Sequence, residues 1–343
     1  MASSNEMNQD NRTVFLVTID TEGDYLWGSS KQISVHNASS LPRFQRLCES
    51  HGILPTYLVD YEMATSGEFR EFGSDVIKRN TGEIGMHLHG WHSPPLVPLT
   101  SDDYRYHPYL IEYSFQVMED KISLLTALLE DTFGLKIVSH RAGRFGFNES
   151  YAAVLIKHGY LVDCSVTPRV SWRGTSGDPA QKGGPDFTRF PESPYFVDLN
   201  DIGKPGNSRL LEVPVSIVKQ SPFFFPAIYR GFRRIPVARH VIRKLFFDVS
   251  WLQPNGANRD QILQMVRSAV AHGKSHLEFI LHSSELMPGG SPTFPTDRDI
   301  QVLYEHLEEL FSLVSSICRP MTLRDYHSEF VTVSKTTPVD GAF

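Results

Sequence analysis

Along the chain, short unbroken apolar runs alternate with stretches whose apolar positions recur every three or four residues. The run TVFLVTID at 13–20 is rich in β-branched residues and ends in acids and glycine, the pattern of a buried strand emptying into a loop. ILPTYLVD at 53–60 and EIGMHLHG at 83–90 repeat it, with Pro55 near the start of its run, where a strand tolerates proline. Further strands are expected at 136–140, 160–165, 209–217 and 277–282. Helices are predicted over 39–51, 68–79, 259–272 and 297–316. A long amphipathic helix is predicted over 111–133, where Ile111, Phe115, Met118, Ile122 and Leu125 fall at three- and four-residue intervals. Gly134 is placed to end it, and Asn148 to cap the helix through Ala152, Leu155 and Ile156.

Strands alternating with helices predict a mainly parallel sheet covered by helices, and the regular repetition points to a closed or nearly closed β/α barrel. A chain of 343 residues fits one elaborated domain of this kind, 1–343. The stretch 167–207 is dense in Pro, Gly and Ser and reads as a long loop region at one end of the barrel. Beyond it, 219–247 carries seven Lys or Arg, no acid and many aromatics. It reads as a lid or surface helix facing an anionic partner, such as a lipid-linked diphosphate sugar or a membrane face; a solvated helix packed across the barrel is the plainer alternative. Together these make 167–250 an inserted loop and lid region.

Charge removes one class of function. A net charge of −6 gives no global basic field, so no nucleic-acid partner is expected. The absence of a GxxxxGK[ST] phosphate loop argues against phosphoryl transfer. The polar MASSNEMNQDNR leads into an apolar run shorter than a signal-peptide core, and no stretch reaches the roughly 20 apolar residues that cross a bilayer. A cytoplasmic location is the expectation, with peripheral attachment at the inner membrane face as an option. Cys48, Cys164 and Cys318 are odd in number and widely spaced, which fits neither a disulfide framework nor a cysteine-based zinc site.

Four clusters carry candidate chemistry, each at the carboxyl end of a predicted strand, where barrel enzymes build their sites. In TIDTEGD at 18–24, Asp20 and Glu22 are two apart and so share a face, with Asp24 beyond. Two carboxylates held together need a cation or a shared proton; a solvated acidic loop is the alternative. In EIGMHLHGWHSPP at 83–95, His87 and His89 share a face and His92 follows. Two imidazoles and a carboxylate match the ligand set of a catalytic zinc that leaves a position open for water. In HRAGRFGFN at 140–148, Arg141 can orient a carboxylate or bind a substrate oxygen through its fork of donors. In LEFILHSSELMPGGSP at 277–292, an apolar strand delivers His282, a residue suited to proton donation, with Ser283, Ser284 and Glu285 placed to orient it.

These segments resemble the motifs of the NodB-homology polysaccharide deacetylases, the carbohydrate esterase family 4 type. TIDTEGD resembles the first motif, EIGMHLHGWHSPP the second, HRAGRFG the third, LLEVPVS at 210–216 the fourth and the strand ending in His282 the fifth. The likeness runs through most of the chain in motif order and is closest to the branch in bacterial exopolysaccharide and O-antigen clusters. It implies a distorted (β/α) barrel of about seven strands and removal of an N-acetyl group from a sugar of a polysaccharide or its lipid- or nucleotide-linked precursor. It also implies a divalent metal, with zinc expected. By position it assigns Asp20 as general base, Glu22, His87 and His89 as metal ligands, His282 as general acid and Arg141 as the tether of Asp20. Trp91, Arg144, Ser283 and Glu285 complete the candidate set as substrate contacts. The sequence departs from the family pattern where Thr21 separates the acids and Trp91 stands four residues after His87. His92 is therefore an alternative ligand to His89, and Asp24 to Glu22. An amidase acting on a small linear or cyclic amide, and a glycan-binding barrel without catalysis, are the competing functions.

Overall fold

Val14–Thr21 (β1) is buried at every position, which is why its sequence shows no polar alternation: both faces and both edges are covered. In the computed structural model the described residues are 12–24, 26, 33–175, 183–219 and 249–336. The remaining strands are β2 (Pro55–Val59), β3 (Glu83–Leu88), β4 (Ser139–Ala142), β5 (Val162–Asp163), β6 (Tyr195–Asp198), β7 (Asp201–Pro205), β8 (Leu211–Glu212), β9 (Ile217–Lys219), β10 (Val249–Trp251), β11 (His276–His282) and β12 (Arg319–Met321).

The main sheet runs β11-β1-β2-β3-β4-β5-β8-β6-β7 and curls as a half-barrel, with β12 pairing β1 off this path. Pairings from β11 to β8 are parallel, while β6 is antiparallel to both β8 and β7. The path therefore holds nine strands and not the expected seven or so. The additional pair, β6 and β7, arises inside the stretch read as loop. Asp198 turns the chain there, its Oδ1 accepting from the backbone N–H and the side-chain amide of Asn200. Strands this short, next to Pro and Gly, leave almost no periodic signal. β9 and β10 form a separate antiparallel pair.

Helices cover the sheet and end where their capping residues dictate. The long helix is Phe115–Phe133 and starts later than its apolar periodicity suggests, because the Ser114 side chain accepts from the Val117 N–H; residues 110–112 form a 3-10 turn instead. Gly134 ends it at φ 65°. Asn148 caps Glu149–Lys157 by accepting from the Tyr151 N–H. Helix Asp297–Ile317 buries Leu303, Leu307, Leu310 and Phe311, and Phe311 meets Phe44 and Phe279 edge-on at 6.2 and 6.1 Å. A further helix, Leu323–Thr336, follows β12 and was not expected. All three cysteines are free and buried. Among the described residues no helix is long and apolar enough to cross a membrane. The lid expected at 219–247 lies, apart from Lys219, outside the described residues.

Candidate active site

Five adjacent parallel strands, β11, β1, β2, β3 and β4, bring their carboxyl ends to one rim. Register does the placing. Asp20 on β1 pairs with His282 on β11, and His87 on β3 with Arg141 on β4. Strand alternation turns His140 the other way, into the core, where it meets Asp163 (2.6 Å) and Tyr151 (2.9 Å). Glu212, from the segment resembling the fourth motif, is likewise buried and accepts from the Val166 N–H at 2.9 Å.

Glu22, His87 and His89 converge. Glu22 Oε2 lies 2.8 Å from His89 Nε2 and 3.3 Å from His87 Nε2, and the two imidazole nitrogens are 3.0 Å apart. The Nδ1–H of His87 donates to the Arg141 carbonyl at 3.0 Å, which leaves its Nε2 lone pair aimed at the other two ligand atoms. Two imidazole nitrogens and a carboxylate oxygen this close can share one ion, because His89 Nε2 becomes an electron-pair donor like the other two when its proton sits on Nδ1, which has no other partner. Their separations approach the ~3.3 Å edge of a tetrahedron with ligands at about 2.0–2.1 Å, as around zinc. The donor set and its spacing therefore fit a divalent metal ion.

Beside this trio, Arg141 is fully buried and all its nitrogens are engaged. Nη1 donates to Asp20 Oδ1 at 2.6 Å, Nη2 to Thr18 Oγ1 at 2.7 Å and to Glu278, and Nε to the Cys164 carbonyl at 3.1 Å. One oxygen of Asp20 is thus tied down, and the other, Oδ2, faces His282 Nε2 at 3.7 Å. His282 is oriented from behind: Glu285 Oε2 accepts from its Nδ1 at 3.1 Å and from its backbone N–H at 2.9 Å. Glu278 escaped the sequence reading, although an acid inside the apolar run LEFIL was a signal, since a buried charge requires a partner.

Burial pushes the Asp20 carboxyl upward, but the charges of Arg141, His87 and His282 outweigh it and hold it below its usual range. Burial also acts against ionised Glu22, and its hydrogen bonds to His87 and His89 win, holding it well below. His89 is driven down to about 3, first by burial and then by its histidine neighbours, against the upward pull of Glu22. An ionised carboxylate and a neutral imidazole are the states that metal ligation demands. His282 goes the other way: burial would lower it, yet Glu285, Glu22 and Asp20 raise it to about 9.

Other expected residues fall outside this cluster. His92 does not join the trio; it lies past the strand, where alternation no longer sets direction, and its Nδ1 faces Glu62 Oε2 at 2.9 Å. Asp24 is also directed elsewhere. Its oxygens accept from the backbone N–H groups of His36 and Asn37 and from the Ser34 hydroxyl, fixing the loop. Ser283, expected to contact substrate, is fully buried and bonded to the Glu22 backbone at 3.1 and 3.2 Å, because it points to the opposite face from His282. Glu285 is 2% exposed and occupied with His282, although it borders the cavity.

The rim opens into a cavity of about 570 Å³ bordered by Asp20, Glu22, His87, His89 and His282 on one side and by aromatic rings on the other. Trp91 packs on His89 at 4.4 Å, and the Arg144 guanidinium lies over both Trp91 (4.9 Å) and Tyr104 (4.7 Å). Arg144 and Phe145 both have left-handed backbone, φ 52° and 58°, a strained turn that presents them toward the cavity. Phe145 stacks on Trp172 at 5.5 Å and meets Trp251 at 5.8 Å. Tyr104, Phe145, Trp172 and Trp251 were not expected from sequence, as isolated aromatics in loops carry no pattern.

No family model and no curated protein matches the chain. Solved structures do. A protein of Mycobacterium smegmatis, described provisionally as a polysaccharide deacetylase, superposes with a TM-score of 0.54 at 13% identity, over 97% of this chain and 95% of that one. A protein of Parabacteroides distasonis, described provisionally as a glycoside hydrolase/deacetylase, gives 0.59 at 11% identity, over 96% and 73%. A 4-alpha-glucanotransferase of Thermococcus litoralis gives 0.52 at 11% identity, over 93% of this chain and 40% of that one. The chain therefore has the distorted (β/α) barrel fold that the first of these shares with the motif-level resemblance, and fold alone does not select among such chemistries.

Proposed function

We propose that this protein is a metal-dependent hydrolase that removes the N-acetyl group from a sugar of a polysaccharide, or of its lipid- or nucleotide-linked precursor. One observation carries the reading: an Arg141-tethered Asp20 stands beside the Glu22, His87 and His89 trio, with His282 across the same rim.

Glu22, His87 and His89 would hold the ion, zinc by its donor set. A divalent ion there supplies Lewis acidity, which polarises an amide carbonyl and acidifies water. Asp20, ionised and fixed through Oδ1, keeps Oδ2 free to take a proton from the attacking water. Glu285, Glu22 and Asp20 favour the protonated form of His282, whose Nε2 faces Asp20 Oδ2 at the border of the cavity. It can therefore give that proton to the nitrogen as the C–N bond breaks. Acetate and a free amino sugar are the products. Trp91 and its aromatic neighbours offer flat apolar faces suited to a pyranose ring, and Arg144 a cation for its polar or anionic substituents.

The test pairs metal analysis with acetate release from a panel of N-acetylated sugars. Wild-type protein loaded with zinc is expected to release acetate, and Asp20→Asn to retain the ion while losing roughly 10²–10⁴ in rate. Full activity in that variant removes Asp20 as the base. Cleavage of small amides without acetate release from any sugar replaces the deacetylase reading with an amidase.

A further inference from the structure

His92 belongs to the HLHGWH run, yet the trio leaves it out. Its side chain is 8% exposed, and neither ring nitrogen makes a hydrogen bond. Nδ1 lies 2.9 Å from Glu62 Oε2, and that oxygen is also buried without a hydrogen bond. So close an approach without a bonding angle is how two electron-pair donors sit around a shared cation. Without one, these two buried groups are left with an ion contact that lacks hydrogen-bond geometry.

Asp60 completes the set, with one ligand atom from each of Asp60, Glu62 and His92 lying within 4.8 Å of the others. Its position is fixed. Oδ1 accepts from the Met63 N–H, capping the helix Tyr61–Thr65, and Oδ2 accepts from the Gly23 N–H, both at 2.8 Å. Each oxygen keeps a further lone pair. Among the described residues no Lys or Arg forms an ion pair with any of the three, so the two neighbouring carboxylates have the His92 imidazole beside them and no such basic side chain.

We propose that Asp60, Glu62 and His92 form a second cation site, separate from the trio and taking a divalent transition ion. One imidazole and two carboxylates suit zinc or manganese better than calcium, which takes six to eight oxygens. This goes beyond the deacetylase reading and does not depend on it. The two sites are linked through the chain: Gly23, held by Asp60, follows Glu22, and the His89 and His92 rings lie 5.2 Å apart. A cation here would pin the two loops from which Glu22 and His89 reach the rim.

The experiment is equilibrium dialysis of the metal-stripped full chain against zinc, and separately manganese, with bound metal counted by mass spectrometry. Asp60 is left intact because it caps a helix. Wild type is expected to bind two equivalents, Glu62→Gln and His92→Gln one each, His87→Gln one, and the His87→Gln, His92→Gln double variant none. One equivalent in wild type that survives in Glu62→Gln and His92→Gln but is lost in His87→Gln overturns this site and leaves the trio standing. One equivalent lost in His92→Gln but kept in His87→Gln supports this site and removes the trio. No bound metal overturns both. Glu62 is partly exposed, so its glutamine variant serves should His92→Gln not fold.

Discussion

Asp20 and His282 are register partners on adjacent parallel strands, and their side chains face one another across the rim with Oδ2 and Nε2 3.7 Å apart. The pairing sets two groups of opposite proton affinity at one place. Arg141 holds one oxygen of the carboxylate, and Glu285 accepts from the far nitrogen of the imidazole. Each is braced by its own partner, and each also acts on the other, Asp20 raising the pKa of His282 and His282 lowering that of Asp20.

In metal-free protein, His282 should titrate near 9, against 6.5 for an ordinary histidine. Because the folded value is the higher one, its contribution to stability is complete below about 6.5 and is lost as pH rises through 9. Chemical denaturation across that window should show stability falling by on the order of 1–3 kcal/mol, and Glu285→Gln should flatten the slope. Zinc on Glu22 would cancel part of the field that raises His282. NMR titration should then find its value below 9 in the loaded protein.

Arg141→Met should lower stability by about 3–5 kcal/mol, since it leaves Asp20 and Glu278 buried without their cation. Where the variant folds, Asp20 loses the charge that depresses its pKa, and the acid limb of the rate profile should move to higher pH. Arg141→Lys restores charge but not the fork, so it should recover stability in part and activity poorly. Melting curves and pH–rate profiles check both.

Gly143 is the residue that lets His89 sit where it does. A Cβ at that position would come 2.4 Å from His89 Nδ1 and 2.7 Å from the Leu88 carbonyl. Gly143→Ala should displace the imidazole and weaken zinc binding roughly 10–100-fold, the scale on which ligand positioning acts. Competition with a chromophoric chelator measures this. Unchanged affinity would separate His89 from the metal.

Trp91→Ala should raise KM about tenfold while changing kcat little, as expected for an apolar face that holds ground state and transition state alike. Arg144→Gln should raise KM more for sugars bearing an anionic group than for neutral ones. Kinetics on paired substrates would show the contrast.

The rim was legible in the sequence because each chemical cluster directly follows an apolar run, and alternation within a strand fixes which side chains share a face. That logic placed Asp20 with Glu22 and His87 with His89. It held for Glu22 and His89, each just past its strand, and failed in the loops and turns beyond, where local geometry takes over: His92 turns to Glu62, Asp24 turns to Asn37, and Ser283 turns under Glu22. The β6–β7 hairpin was hidden for a different reason, since its pairing is settled by the neighbouring strand β8 and the Asp198 turn and not by any periodicity of its own.

Strand β1 lies between partners made at very different times. One edge takes β2 from residue 55 onward, while the other takes β11, and β12 sits alongside its first residues. During synthesis the segment bearing Asp20 and Glu22 must therefore wait, half paired, until His276–His282 has left the ribosome. Such long-range closure is slow and leaves an apolar edge open to misassembly. The cell's folding helpers should matter most in that interval, before the last quarter of the chain arrives.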